Sequence, residues 1–155
     1  TLLGSASGLL STISGISSAV AAPLVGRWAD RGNSRILLLE SALLCAIALF
    51  IQAVAPAYAL LVLAQFVLGL GVGGTIAVLS AYIGRMAPEG RAGTAFGLDA
   101  MAVALAGAVG PSVGGWLSDT VSRRAPLWAG GIAMVLAGLA VLRLPKDRPQ
   151  GATPT

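Results

Sequence analysis

Long apolar runs alternate with short charged clusters along this sequence. Five apolar segments can be distinguished, at about residues 2–25, 36–54, 58–84, 92–117 and 127–142. An α-helix needs about 20 predominantly apolar residues to cross the hydrocarbon core of a bilayer. The alternation therefore predicts an all-α membrane protein with five transmembrane helices.

The most charged connection is residues 26–35, which read G-R-W-A-D-R-G-N-S-R. This stretch contains four charged residues, whereas residues 1–25 contain none and residues 36–84 contain only Glu40. A charged cluster between two long apolar runs predicts a short loop at a membrane surface. The next connection, residues 55–57, is so short that the segments on either side of it are predicted to form an antiparallel hairpin.

The overall composition also indicates a membrane protein. Hydrophobic residues make up 56% of the chain and charged residues only 10%, with a mean hydropathy of +0.86. Soluble domains contain about 25% charged residues, so a soluble fold of this composition would have too little polar surface to cover its core.

The net charge of +4 does not indicate nucleic-acid binding, because the basic residues lie in separate short connections and not on one face. The single cysteine, Cys45, lies in an apolar run, and the chain has no histidine. Histidine-based catalysis and histidine metal sites are therefore excluded, and we expect no enzymatic activity, no metal and no cofactor.

The distribution of basic residues predicts the orientation. Residues 26–35, 85–91 and 143–148 contain eight of the ten basic residues, whereas the opposite side has only Arg123 and Arg124. Short loops rich in Lys and Arg stay in the cytoplasm. We therefore expect a multi-pass protein of the cell (inner) membrane with residues 26–35 and the C-terminus in the cytoplasm. The tail, residues 146–155, is predicted to be disordered.

One motif of soluble enzymes occurs in the third segment. Residues 69–74 contain G-x-G-x-x-G, which binds a pyrophosphate when it connects a strand to a helix. Here apolar, helix-like sequence continues through the motif without a polar loop. The glycines at 69 and 73 are one helical turn apart and instead predict close packing between helices.

Three elements, in this order, resemble motifs of the major facilitator superfamily of transporters. Residues 26–31, with Arg35, resemble the G-x-x-x-D-R loop signature between the family's second and third helices, which recurs between the eighth and ninth. Residues 65–74 are similar to its R-x-x-x-G-x-G element, but Gln65 replaces the arginine. Residues 107–115 read G-x-x-G-P-x-x-G-G, an element typical of the fifth helix of drug–proton antiporters that recurs in eleventh helices.

The resemblance implies a place in a twelve-helix fold. A basic tail after the fifth segment, and the absence of the arginine of the fourth helix, favour helices eight to twelve. Helices two to six are the alternative, because the last element is most typical of the fifth helix. In both cases the remainder of the transporter is an expected partner, together with membrane lipid.

The function implied is secondary active transport by alternating access. The leading hypothesis is efflux of small amphipathic molecules or drugs, driven by protons. Proton-coupled uptake of a metabolite, sugar or peptide is the alternative substrate class. A membrane fragment that packs with partner helices without transporting is the alternative of another class, and a soluble nucleotide enzyme is the least favoured.

The candidate site residues fall into three groups. The resemblance implies that the gating loop clamps the two halves of the transporter in one of the alternating states. Its residues are Gly26, Asp30, Arg31 and Arg35. The glycine and proline positions are predicted to pack or kink helices; they are Gly69, Gly73, Gly107, Gly110, Pro111, Gly114 and Gly115.

Three polar residues inside the apolar segments form the third group, because such groups in membranes are usually functional. Asp99 shares a helical face with Ala102, Ala106 and Gly110, a small-residue stripe expected to face other helices or a cavity. An apolar environment favours the neutral carboxyl group, which suits proton coupling or, alternatively, a helix-start hydrogen bond. Gln65 is a candidate substrate or interhelical contact. Glu40 either extends toward the interface, pairs with Arg35 or lines the pathway.

Overall fold

The computed structural model describes residues 2–31, 34–88 and 90–143, without the side chains of residues 2–7, Asp30 and Arg31. These residues form five α-helices, and no strand occurs within the described ranges. The helices are α1 (Leu2–Arg31), α2 (Ser34–Val54), α3 (Tyr58–Met86), α4 (Ala92–Thr120) and α5 (Ala125–Val141). The all-α prediction is confirmed, and the predicted tail lies outside the described residues.

The helices have the lengths and composition of membrane spans. Four are long and apolar enough to cross a bilayer, over Gly8–Ala29, Ser34–Val54, Tyr58–Met86 and Ala92–Thr120. The fifth, α5, is also apolar but has 17 residues, about 25 Å at 1.5 Å per residue. It is shorter than the roughly 30 Å hydrocarbon core, so the structure contains four full-length spans and a shorter fifth.

The connection between α1 and α2 is much shorter than predicted. The prediction of a loop over residues 26–35 is wrong, because α1 continues to Arg31 and α2 begins at Ser34. Charged residues tolerate a helical backbone well when the helix end reaches water, and Arg is a strong helix former. Polarity therefore marks where the chain leaves the apolar layer and not where the helix ends.

Helix α3 is the centre of the bundle and packs against α1 and α2, while α2 also packs against α5. Residues later in α1 contact residues later in α3, so the two helices run parallel. Residues 41 and 45 of α2 meet positions 74 and 71 of α3 in reverse order, so α2 and α3 run antiparallel. The connections therefore alternate between the two ends of the bundle, as predicted.

Helix α4 lies at the side of this bundle. Among the described helices it contacts α3 and α5 alone, and sparsely, and none of its residues is buried. Contacts between α2 and α5 include the rings of Phe50 and Trp128, whose centroids are 5.4 Å apart, and Gly131, which is buried against the Phe50 ring. The core of this chain is thus formed by α1, α2, α3 and α5.

Aromatic side chains mark both ends of the bundle. Trp28 is exposed near the end that carries the α1–α2 connection. Tyr58, Trp116 and Trp128 are exposed near the opposite end. Trp and Tyr are enriched at the two membrane–water interfaces, so this arrangement fits helices that cross a bilayer from one interface to the other.

Candidate functional site

The first candidate site is the charged end of the bundle, where α1 ends, α2 begins and α3 ends. Arg85, in the last turn of α3, connects the three helices. Its Nη2 donates a hydrogen bond to the Ala29 carbonyl (2.8 Å) and another to the Ser34 hydroxyl (2.6 Å). Its Nε donates to the Ala81 carbonyl within α3 at 3.2 Å. One guanidinium therefore holds both helix ends that flank the α1–α2 connection.

This contact needs a cation with several donors. The carbonyls of the last turn of a helix lack intrahelical partners, and basic side chains satisfy them favourably. Ala29 and Ser34 are fully buried, so water is a poor substitute for Arg85. Below them, Ala29 forms an apolar cluster with Leu38 and Val78, which brings the three helices together directly beneath the charged end.

The residues of the predicted gating group all lie at this end. Gly26 faces Ala77 of α3 across an ordinary contact distance. Asp30 and Arg31 are in the last turn of α1, and their side chains lie outside the described residues. Arg35 is half-buried in the first turn of α2, and its Nε has no hydrogen-bond partner within the described part of the chain.

Sequence reasoning missed Arg85 and Ser34 as members of this site. In the sequence Arg85 contributes only to the charge count that predicts orientation, although the alternation of helix direction already places the end of α3 beside the α1–α2 connection. Two signals could have identified it. It is the only charged residue in α3, and its position near the helix end matches the position of the charged connection.

The glycines of α3 form two opposite contact faces. Gly69 and Gly73 are buried against the backbone of α1: a Cβ at Gly69 would lie 2.9 Å from the Cα of Ser14, and one at Gly73 would lie 2.9 Å from the Cα of Ser18. Two further glycines face α2. A Cβ at Gly71 would lie 2.6 Å from the Cys45 Sγ, and one at Gly74 would lie 2.7 Å from the Ser41 Oγ.

These contacts explain the glycine-rich stretch without a nucleotide. A G-x-G-x-x-G site requires a turn between a strand and a helix, whereas residues 69–74 lie inside one continuous helix. Small residues let helix backbones approach closely in membranes. Here they do so on two sides, which places α3 between α1 and α2.

The glycines and the proline of α4 are placed differently. Gly107, Gly110, Pro111 and Gly115 are exposed, and Gly114 is half-buried near Pro126 of α5. The helix continues through Pro111. Pro111 cannot donate the hydrogen bond that would reach the carbonyl of residue 107, so this turn is a weak point of the helix.

The three candidate pathway residues lie on different helices. Glu40 is exposed on α2, Gln65 is half-buried on α3 and Asp99 is half-buried on α4. Ala102, Ala106 and Gly110, which form the predicted stripe beside Asp99, are all exposed, so no helix of the described ranges covers this stripe. The physical reason is the peripheral position of α4, whose other faces meet no helix of the described ranges.

The second candidate site is a groove between α1 and α2 near the charged end, with a volume of about 400 Å³. Its walls are almost entirely apolar, and they include Leu70 of α3. Glu40 and Trp28 are among the residues that line it. The expected pair of Glu40 with Arg35 does not occur in the described structure. The residues that line the groove are Ala21, Leu24, Val25, Trp28, Leu37, Glu40, Ser41, Leu44 and Leu70.

Comparison with known proteins identifies the family. The sequence profile described as "Major Facilitator Superfamily" matches residues 2–155. The chain belongs to the major facilitator superfamily. This explains the five apolar helices and the order of the three motifs, and it confirms the resemblance predicted from residues 26–35, 65–74 and 107–115.

Among curated members of the superfamily, the chain is similar to proteins named for multidrug resistance. It is 29% identical over 142 residues to multidrug resistance protein MdtG of Dickeya zeae, covering 92% of this chain and 35% of that protein. The MdtG of Citrobacter koseri is 31% identical over 144 residues, or 93% and 35%. Multidrug resistance protein 1 of Bacillus subtilis is 24% identical over 151 residues, or 96% and 39%. The chain thus spans about a third of the length of these relatives.

Proposed function

We propose that this chain is part of a secondary transporter that exports small amphipathic molecules in exchange for protons. Transport would proceed by alternating access between two six-helix halves. The observation that carries the proposal is the similarity of nearly the whole chain to proteins named for multidrug resistance. No observation on this chain favours the alternative, uptake of a metabolite, sugar or peptide by symport.

The charged end would act as the gate. Residues 26–35 include the end of α1 and the start of α2, which Arg85 of α3 holds, so a change here would move α1 and α2 together. A carboxylate such as Asp30 is stabilised by the N-terminus of a helix, which another part of the transporter would present in one of its two states. Breaking that contact would release the halves.

Helix α4 would contact the remainder of the transporter. A helix of 29 residues with no buried residue leaves its small-residue face available for another helix, and small residues favour close helix contact. Asp99 would then be enclosed between α4 and the opposite half, where its carboxyl group would bind and release a proton. Gln65 would contact substrate, and Pro111 would let α4 bend. We place these helices as eight to twelve, with two to six as the alternative.

The orientation forms part of the proposal. The end that carries Arg27, Arg35, Arg85 and Arg91 would face the cytoplasm, and the end with Arg123 and Arg124 would face outward. Substrate and protons would cross the inner membrane along the interface between the halves.

Transport by the full-length protein in proteoliposomes tests the proposal directly. With an imposed pH gradient, we expect a fluorescent amphipathic cation to move against its own gradient, in the direction opposite to protons. Dissipation of the pH gradient with a protonophore should stop this movement. Failure to move any amphipathic cation under these conditions would contradict drug export.

Replacement of Asp99 with asparagine is expected to uncouple transport from protons, because the amide cannot exchange a proton. Uphill transport driven by the pH gradient should be lost, while downhill exchange of the cation should persist. Both fluxes are measured in the same proteoliposomes. Asp119→Asn is the matched control, since Asp119 is exposed at the far end of the same helix. Unchanged coupling in Asp99→Asn would remove Asp99 from the proton pathway.

A further inference from the structure

We propose that the groove between α1 and α2 is a binding site for an amphipathic organic cation. The apolar body of the cation would lie between the two helices, and its positive charge would lie at the Trp28 indole and the Glu40 carboxylate. This inference deepens the proposed function, on which its choice of ligand class partly rests, by giving the ligand a site on this chain away from the α4 face.

The electrostatics of the groove favour a cation. Glu40 is the only charged residue among the described residues that line it. Its carboxylate has no hydrogen bond or ion pair with any other part of the described structure. Glu40 is exposed, so its negative charge would attract the positive group of a ligand whose apolar body lies in the groove.

Trp28 supplies the second recognition element. Its indole is 64% exposed and lines the groove, and the face of an indole ring is the best aromatic partner for organic cations. The volume of about 400 Å³ is within the range of roughly 300–1,000 Å³ found for small-molecule sites. An apolar pocket with few polar groups is the usual form of such sites.

The packing of α3 explains why the groove stays open. Gly69 allows α1 to pack closely against one side of α3, and Gly71 allows α2 to pack closely against the opposite side. Leu70, between these two glycines, lies where the neighbouring helices separate, and it forms part of the groove lining. Contacts between α1 and α2 themselves are few. The groove is therefore a direct consequence of the two-sided glycine packing.

A pair of ions with the same shape and opposite charge tests the proposal. Tetraphenylphosphonium and tetraphenylborate would be titrated separately against the full-length protein in nanodiscs, without any gradient. A benzophenone derivative of the phosphonium would be photo-crosslinked, and labelled peptides would be mapped by mass spectrometry. We expect crosslinks within residues 21–44 and at Leu70, displaced by unlabelled tetraphenylphosphonium and not by tetraphenylborate.

Glu40→Gln should lower this crosslinking about tenfold and should leave tetraphenylborate binding unchanged or stronger. Trp28→Leu should weaken phosphonium binding about threefold, with recovery in Trp28→Phe. Asp119→Asn, which removes an exposed carboxylate at the other end of the bundle, should change neither ion. Absence of labels from both residues 21–44 and Leu70, or an equal loss of both ions in Glu40→Gln, would overturn the proposal, since a covering helix or a lipid chain would give those results.

Binding and transport are measured separately, so the two proposals can fail separately. Phosphonium binding in the groove without any transport would contradict drug export and leave the groove site intact. Transport that is insensitive to Glu40→Gln, together with no labelling of residues 21–44 or Leu70, would contradict the groove site and leave drug export intact.

Discussion

Replacing Arg85 with methionine is expected to destabilise the protein by about 3 kcal/mol, because hydrogen bonds to a charged group contribute about 1.5–3 kcal/mol each and buried acceptors are left unpaired. Methionine keeps the long apolar stem but cannot donate to the Ala29 carbonyl or the Ser34 hydroxyl. The ends of α1 and α2 should then separate. The measurement is thermal unfolding of the full-length protein in detergent, followed by the reaction of buried Cys45 with a thiol-reactive dye.

Two further variants separate the contact from the charge. Arg85→Lys keeps the charge but loses the planar fork of donors, so its stability should lie between those of the wild type and Arg85→Met. Arg91→Ala removes an exposed arginine from the same end of the bundle and should change stability by less than about 0.5 kcal/mol. If Arg85→Met and Arg91→Ala unfold at the same temperature, the hydrogen bonds of Arg85 do not hold this end together.

The second large effect is expected at the contact between α3 and α1. Gly73→Ala should destabilise the protein by about 2 kcal/mol, the usual range for overpacking being about 1–3 kcal/mol. The added Cβ would lie 2.9 Å from the Cα of Ser18, and backbone atoms cannot move away as a flexible side chain can. Helix α1 as a whole must shift. The same unfolding assay measures the loss.

Gly84→Ala is the matched control for this substitution. It lies in the same helix, and a Cβ there would have no neighbour within 4 Å. Since alanine favours a helix over glycine by about 1 kcal/mol, Gly84→Ala should be neutral or stabilising. An equal change in both variants would show that the contact with Ser18 is not close in solution.

The elements of this fold are largely readable from the sequence, because apolar runs of about 20 residues have few alternatives to helices in a membrane. The positions at which the helices end cannot be predicted in the same way. Residues 26–31 are charged and were predicted as loop, yet they are helical, since helix propensity and not polarity decides where the backbone stops. Apolar patterning also cannot show which face of α3 meets which helix, because lipid-facing and protein-facing residues are both apolar.

The candidate site, too, is only partly predictable from the sequence. The spacing of Gly69 and Gly73 is sufficient to predict a close contact with another helix. The contacts of Gly71 and Gly74 with α2 cannot be predicted in this way, because the spacing does not show where a second helix lies. Arg85 bonds to residues more than 50 positions away, a relation that no local pattern records. Asp99 shows the opposite case. The small residues on its helical face predict a contact with another helix, and this chain alone does not supply that helix.

The most direct test of the whole account is the sidedness of the two connections. Cys45 would be replaced with alanine, and single cysteines would be placed at the exposed positions Arg91 and Ser122, at opposite ends of the bundle. Intact spheroplasts would be treated with a membrane-impermeant maleimide. We predict that Ser122→Cys is labelled at once and that Arg91→Cys is labelled only after the membrane is permeabilised. Labelling of Arg91→Cys in intact spheroplasts, or of both positions from the same side, would contradict the account.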